Sequence, residues 1–334
     1  MTKRNCSRKI IVAVTGLLWA LGLIGGIPHG EAAQPIKIVT AHSSQKAFGD
    51  LAELLAWEAI KPKGYDVEYK ATATPELAAQ ALVNRDAQFA AISSGTGMMA
   101  VQAGAKIKMV CEHKANEWAL VTVSSITDPK QLAGKRLAVH SLGAISTGMV
   151  RNTLKLAGVD LNLMTIAGSD VRAQAILAGQ IDATPLEVYD VLNVQAKAPG
   201  KFRILVNYSK EMPNLNGTCF WVSDDFLAKN PGWVQDLIQA NLEVRRKGKA
   251  DPKWLVTEGK RLFPQIDPPL IEAAVNAYLQ AYIWNVNGHV TPETAAYSLK
   301  FYADVGTIKA TDLNPENYYS FGPINAVLKK IGMK

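Results

Sequence analysis

Cysteine, histidine and aromatic residues are scarce in this chain of 334 residues. It has three cysteines, five histidines and 7% aromatic residues. The histidines are scattered without the spacing of a metal-ligand set, so we expect no metal site and no cofactor. Cys111 and Cys219 each lie in an apolar, strand-like run. Buried free thiols and one disulfide are both compatible with that setting.

Clusters of basic residues and low-complexity tracts are also missing. The formal net charge is +7, yet no Lys/Arg cluster is interleaved with aromatic residues. Nucleic acid is therefore not an expected partner. With 48% hydrophobic and 19% charged residues, the chain is long and apolar enough for a sizeable core, most simply in two lobes.

Residues 1–33 have the organisation of a secretory signal peptide. A positively charged start is followed by an apolar run over residues 10–27 and then by small residues. We expect cleavage near Ala32 or Ala33 and a periplasmic location, with an uncleaved membrane anchor as the alternative. Loss of four basic residues and Glu31 would leave 32 basic and 28 acidic residues, a net charge of +4.

The stretch 136–190 carries the pattern around which the chain is organised. Residues 137–140 read as a strand, and a turn rich in Gly, Ser and Thr leads from it into a helix. Unpaired N–H groups and hydroxyls at such a turn can form a binding site for an anion or for a polar group of a ligand. The same residues also suit a tight turn and a helix cap, so both interpretations stay open.

A second copy of this pattern occurs earlier in the chain. Residues 38–44 resemble residues 137–141, and the run 79–83 matches the run 173–177. The two pairings are offset by 98 and 94 positions, a length typical of a duplicated α/β lobe. Two polar turns at the carboxyl ends of parallel strands would face each other across a cleft.

The order of elements predicts an α/β protein with a helical C-terminal tail. Strands and helices alternate up to residue 222, and the rest reads as helix. We expect lobe 1 in residues 34–120, lobe 2 in residues 121–219 and the completion of lobe 1 in residues 220–334. Strand crossings near residues 118–123 and 217–222 would then form a hinge.

Several runs appear in an order typical of one family. They are Phe89-Ala-Ala-Ile-Ser-Ser-Gly, Asp128-Pro-Lys-Gln-Leu-Ala-Gly-Lys-Arg-Leu-Ala-Val with the polar turn after it, Ala175-Ile-Leu-Ala-Gly-Gln-Ile-Asp-Ala and Val222-Ser-Asp-Asp-Phe-Leu-Ala-Lys-Asn-Pro. Together with the signal peptide, this set resembles the periplasmic solute-binding proteins of ABC importers of the nitrate/sulfonate/taurine class, which are related to the thiamine-pyrimidine precursor binders. The resemblance covers nearly the whole mature chain.

The resemblance implies a type II periplasmic-binding-protein fold, with two α/β lobes joined by a two-strand hinge and the helical tail packed on lobe 1. It also implies a monomer that closes around a small anionic or polar molecule and delivers it to an ABC permease in the inner membrane. Carried over by position, the ligand-binding residues are His42, Ser43, Ser44, Ser93, Ser94, Gly95, Thr96, Ser141, Gly143, Ala144, Ser146, Thr147, Glu187 and Tyr189.

Other functions remain open on the sequence alone. A sensor module that presents its closed form to a membrane receptor would have the same fold. An enzyme of the pyrimidine-precursor type would use His42, but the cysteine-rich segment of those proteins is absent here. We therefore expect no catalytic residues. Sulfonates, carboxylates and heterocycles are all compatible with the predicted site, and Arg172 is the only arginine close to its loops.

Overall fold

The structure, a computed structural model, describes residues 35–334. The signal peptide predicted for residues 1–33 lies outside the described residues. Residues 35–334 form a single compact unit, and none of their helices is long and apolar enough to cross a membrane.

Strands and helices alternate in the first two thirds of the described chain. The strands are β1 (Ile36–His42), β2 (Tyr65–Ala71), β3 (Phe89–Ser93), β4 (Ile107–Lys114), β5 (Ala119–Val123), β6 (Ala138–Val139), β7 (Met164–Thr165), β8 (Ala183–Leu186), β9 (Phe202–Asn207) and β10 (Thr218–Ser223). The helices are α1 (Leu51–Ile60), α2 (Pro75–Val83), α3 (Ser94–Gln102), α4 (Ile145–Ala157), α5 (Ser169–Leu177), α6 (Val188–Lys197), α7 (Tyr208–Glu211), α8 (Asp224–Lys229), α9 (Pro231–Ala250), α10 (Pro252–Leu262), α11 (Pro268–Gln280), α12 (Pro292–Asp304) and α13 (Phe321–Ile331).

The larger sheet has five strands in the order β2-β1-β3-β10-β4. Strands β2, β1 and β3 are parallel, and β10 runs antiparallel to both β3 and β4. Every residue of β3 is buried, because one apolar cluster covers each face of this sheet. A continuous apolar strand is the sequence pattern that such two-sided burial requires.

The second half of the α/β region builds two small sheets. Strands β8, β5 and β9 form an antiparallel sheet, and β6 pairs in parallel with β7. A bridge between Leu137 and Ala183 connects these two sheets. The chain passes from the larger sheet to the smaller ones after β4 and returns through β10. This path agrees with the hinge expected near residues 118–123 and 217–222, and the lobe boundaries stay a prediction.

The C-terminal helices pack mainly against the larger sheet. Helices α9, α10, α11 and α12 each have a proline in their first turn, where the missing N–H has no helical partner to lose. Helix α9 packs on α1 and α13, and α11 reaches across to α6. The predicted packing of the helical tail is confirmed. In addition, α11 contacts α6, a helix that follows strand β8 of the smaller sheet.

Three local expectations need correction or completion. The strand predicted over residues 137–140 is only Ala138–Val139. Ser146 and Thr147 lie inside the first turn of α4 and not in the turn before it. Cys111 and Cys219 are both buried free thiols.

We expect Gly97→Ala to destabilise the protein, because a Cβ on Gly97 would lie 2.2 Å from two ring atoms of the fully buried Trp221. Overpacking of this kind lowers the free energy of unfolding by about 1–3 kcal/mol. The matched control is Gly232→Ala in α9, where no atom lies within 4 Å of the added Cβ. Urea unfolding should show a loss only for Gly97→Ala, and equal stability of the two variants would contradict this packing.

Candidate functional site

A small chamber lies where β1 and β3 end and the turn after β6 begins. Its volume is about 40 Å³, and its walls come from segments of both the larger and the smaller sheets. Seven of the predicted site residues line it: His42, Ser43, Ser44, Ser93, Ala144, Ser146 and Glu187. The other lining residues are Asp50, Tyr69, Pro75, Ala91, His113, Lys114, Trp118, His140, Ile145, Ser169 and Thr218.

A wider groove of about 700 Å³ adjoins the chamber. Tyr189, another predicted site residue, lines this groove and stacks near Phe48 with their ring centroids 5.7 Å apart. Ser43, Ser44 and Glu187 line both spaces. These shared residues therefore mark the entrance from the groove into the chamber.

Six predicted residues line neither the chamber nor the groove, and three of them, Ser141, Thr96 and Gly143, join the two walls of the chamber. The Ser141 hydroxyl donates to Glu76 Oε1 at 2.8 Å, and the Thr96 hydroxyl donates to the Gly143 carbonyl at 3.1 Å. Thr147 donates to the Ser141 carbonyl and so fixes the turn. These side chains hold the turn after β6 against α2 and α3.

Ser94 and Gly95 have structural roles at the start of α3. The Ser94 hydroxyl lies 2.9 Å from the Tyr302 hydroxyl and donates to the Asn216 carbonyl. A Cβ on Gly95 would meet the Tyr302 ring at 2.4 Å. Neither residue lines the chamber, because both face α12.

Lys114 is the charged centre of the chamber wall. Its ammonium lies 2.9 Å from Glu117, 3.4 Å from Asp50 and 3.7 Å from Glu187. Burial by itself would lower the pKa of Lys114, but the carboxylates outweigh it and raise that pKa well above its ordinary value. Lys114 is therefore charged, and Glu117 and Asp50 are its two nearest counter-ions.

Asp50 is ionised and tightly held. The Ala47 N–H and the Tyr69 hydroxyl donate to its Oδ2, and His113 Nε2 lies 3.1 Å from its Oδ1. Burial acts to raise the pKa of Asp50, yet Lys114, His113 and His42 together lower it well below its usual range. Charge-assisted hydrogen bonds of this kind are among the strongest in proteins.

Glu187, at the entrance, holds a proton at neutral pH. Burial raises its pKa from 4.5 to about 8; Glu117, Asp190 and Asp50 reinforce the shift and Lys114 opposes it. Its backbone N–H donates to Ser169 Oγ at 3.0 Å. A neutral carboxyl group offers both an O–H donor and a carbonyl acceptor to a ligand.

Two polar side chains on the opposite wall have unpaired atoms. His140 Nε2 and Ser146 Oγ are buried and make no hydrogen bond. Burial, followed by the charge of Arg172, lowers the pKa of His140 to about 4, and the Ala73 carbonyl accepts a hydrogen bond from the ring. In the neutral tautomer with the proton on Nδ1, Nε2 is an acceptor.

Arg172 forms hydrogen bonds with backbone carbonyl groups and does not line the chamber. Its guanidinium donates to the carbonyls of Ile166, Gly168 and Pro185, and it lies 5.8 Å from the centre of the Trp118 ring. Burial lowers its pKa to about 10, so it stays charged at neutral pH. Among the described residues that line the chamber, no lysine or arginine is left unpaired for a bound anion.

The acidic and basic residues of this site were not predicted from the sequence. Asp50 and Glu53 interrupt the apolar face at the start of α1, and Glu112, His113 and Lys114 end the apolar strand β4. These charged residues occur in an apolar helix face and an apolar strand, which are expected to be buried. Because charged groups are rarely buried without partners, their positions could have indicated a site. Cys111 lies in the same strand with its pKa raised to about 11 by burial, so it is no ready nucleophile.

The fold and the inter-sheet chamber define an α/β protein of the periplasmic-binding type. The chain resembles a protein of Bordetella bronchiseptica RB50 at 18% identity and a TM-score of 0.75, covering 89% of this chain and 98% of that one. The alkanesulfonate-binding protein SsuA of Xanthomonas axonopodis pv. citri, bound to MOPS, matches at 15% identity and a TM-score of 0.68, with 86% and 99% covered. The periplasmic nitrate-binding protein NrtA of Synechocystis PCC 6803 matches at 12% and 0.70, with 90% of each chain covered.

The family assignment comes from the sequence. The model of the family described as NMT1/THI5 like matches residues 61–253, which is more than half of the chain. The chain therefore belongs to the NMT1/THI5-like family. No curated protein matches it. The structural neighbours named for a function are binding proteins and not enzymes.

We expect Glu187→Gln to remove a pH dependence of stability. The native protein holds a proton on Glu187 up to about pH 8, whereas the unfolded chain releases it near 4.5. The wild-type free energy of unfolding should therefore fall as pH rises from 5 to 8, because the unfolded state then binds fewer protons. Gln mimics the protonated carboxyl group and does not titrate. Between pH 5 and pH 8, the free energy of unfolding of the variant relative to that of the wild type should therefore rise by at least about 1 kcal/mol.

Urea unfolding at pH 5 and pH 8 measures this difference. Glu272→Gln on the exposed side of α11 is the matched control and should follow the wild type at both values. A Glu187→Gln variant that tracks the wild type would show that Glu187 is already ionised at neutral pH.

Proposed function

We propose that this chain is the extracytoplasmic solute-binding component of an ABC importer. One observation carries the proposal: polar side chains from segments of the larger and the smaller sheets meet around a small chamber that adjoins a wider groove. Family membership, the likeness to sulfonate- and nitrate-binding proteins and the signal-peptide pattern of residues 1–33 support it. In this proposal the protein acts as a monomer and hands its solute to an inner-membrane permease.

The charge of the chamber favours a solute that donates hydrogen bonds. Lys114 forms ion pairs with Asp50 and Glu117, and Arg172 donates its hydrogen bonds to backbone carbonyl groups. His140 Nε2 and Ser146 Oγ offer unpaired acceptors, and Glu187 offers a neutral carboxyl group at the entrance. A small molecule with N–H or O–H groups, such as an amine, an amide or a nitrogen heterocycle, satisfies these atoms. A sulfonate or nitrate would face Asp50, and the charge of Lys114 is already offset by Glu117.

Binding is proposed to close the two halves of the molecule around the solute. The Ser141–Glu76 and Thr96–Gly143 hydrogen bonds already join the two walls. A solute that touches both His140 and Ser43, which line the chamber, would add contacts present only in the closed state and would shift the population towards it. Small-angle scattering should show a smaller radius of gyration with saturating solute. An unchanged radius would contradict closure.

A thermal-shift screen of the exported protein tests the proposed ligand class. The protein is first unfolded and refolded to remove any retained solute. A solute at about 100 times its Kd adds about 2.7 kcal/mol to stability, so amines, amides or nitrogen heterocycles should raise the Tm. Alkanesulfonates and nitrate should have no effect. A rise with sulfonates alone would overturn the ligand class, and no rise with any solute would count against the binding function.

Ser146 and Thr147 are adjacent in α4, and we expect them to respond differently to substitution. Ser146 lines the chamber with an unpaired hydroxyl, whereas Thr147 is bonded to the Ser141 carbonyl outside it. Ser146→Ala should weaken solute binding by about 0.5–1.5 kcal/mol, the contribution of one hydrogen bond. Calorimetry with the best solute from the screen measures this change. Thr147→Ser, which keeps the hydroxyl, is the control and should leave the Kd unchanged.

A further inference from the structure

A second cluster of side chains lies beside the chamber and is not needed for the solute. It joins His42 at the end of β1, Asp50 just before α1, Glu53 in α1 and His113 in β4. All four are at least 95% buried. The donor atoms of His42, Asp50 and Glu53 lie within 4.8 Å of one another. The two histidines are far apart in the sequence, which is why spacing alone indicated no metal site.

We infer that this cluster binds one divalent transition-metal ion of the zinc type. The inference goes beyond the proposed function, because it concerns a site that could be filled with or without a solute. His42 and Glu53 are the central ligands, with Asp50 and His113 completing the set. Imidazole and carboxylate are both ordinary ligands of Zn²⁺.

The spacing of the donor atoms fits such an ion. A tetrahedral zinc site with metal–ligand distances of about 2.0–2.2 Å separates neighbouring ligand atoms by roughly 3.3–3.5 Å. His42 Nε2 lies 3.3 Å from Glu53 Oε1, and His113 Nε2 lies 3.5 Å from Glu53 Oε2 and 3.1 Å from Asp50 Oδ1. Three nitrogen–oxygen pairs thus have nearly that spacing, with Glu53 facing His42 through Oε1 and His113 through Oε2. The donor atoms of His42, Asp50 and Glu53 also lie within 4.8 Å of one another.

Glu53 gives a second and independent indication. Its side chain is fully buried, and neither carboxylate oxygen accepts a hydrogen bond. A buried carboxylate without hydrogen bonds is strongly unfavourable unless it is paired or binds a metal. The atoms facing it are the two imidazole nitrogens, so a cation between these three side chains would satisfy the carboxylate directly.

The surroundings hold the ligands in place. The Tyr69 hydroxyl and the Ala47 N–H bind Asp50 Oδ2 and leave Oδ1 towards His113. The His42 ring stacks on Tyr69 with centroids 3.7 Å apart. Outer contacts of this kind orient metal ligands. Lys114 is the neighbouring cation, 3.4 Å from Asp50, and Glu117 at 2.9 Å balances its charge.

An ion could reach the cluster through the chamber, because His42, Asp50 and His113 all line it. The His42 contact with Thr40 Oγ1 at 3.2 Å is the one hydrogen bond of His42 Nε2 that metal binding would displace.

Equilibrium dialysis of the untagged, chelator-stripped protein against Zn²⁺, with the metal counted by mass spectrometry, tests the inference. We expect one zinc ion per chain. Glu53→Gln keeps the shape of the side chain and removes the anionic ligand, so it should weaken zinc affinity at least tenfold. The control is His289→Asn, which removes another buried histidine–glutamate pair, His289 with Glu112 at 3.0 Å. It should keep one zinc ion per chain.

X-ray absorption at the zinc edge of the wild type gives a second readout that does not depend on a variant folding. A four- or five-coordinate shell of nitrogen and oxygen with imidazole scattering would support the site. A six-coordinate shell without imidazole would overturn it. Less than one tenth of an ion per chain, or equal affinity in Glu53→Gln, would overturn it as well.

Discussion

The burial of Lys114 among carboxylates is the constraint on which the rest of the site depends. Strand β4 ends with Lys114 inside the protein, where an isolated ammonium ion would be strongly unfavourable. Asp50 comes from the segment before α1, Glu117 from the link to β5 and Glu187 from the start of α6. These contacts require the segment before α1, the link between β4 and β5 and the start of α6 to meet around Lys114, which lines the chamber.

The same arrangement limits what the chamber can bind. The charge of Lys114 is offset by Glu117 and Asp50, and His140 Nε2 and Ser146 Oγ on the opposite wall make no hydrogen bond. Under the proposed function, these free acceptors select the ligand. Glu187 adds a proton at the entrance through the rise in its pKa. The fold is shared with sulfonate- and nitrate-binding proteins, but the fold alone does not determine the ligand, because function depends on the residues of the site.

Much of the fold could be predicted, because apolar strands such as β3 and proline-initiated helices such as α12 leave strong local patterns. The polar loops were also found, since Gly- and Ser-rich turns after strands are visible in the sequence. Their roles were harder to separate: Ser146 lines the chamber, whereas Thr147, one residue away, fixes the turn. The side chains of Asp50, Glu53 and His113 come together only through tertiary packing, and no local sequence pattern predicts these contacts.

The most direct test of the account is to identify the solute that the protein itself retains. The untagged protein would be purified under native conditions and denatured by heat, and the released small molecules would be identified by mass spectrometry. The account predicts close to one equivalent of a small solute that bears N–H or O–H donors and no sulfonate group. One equivalent of an alkanesulfonate or of nitrate would contradict it.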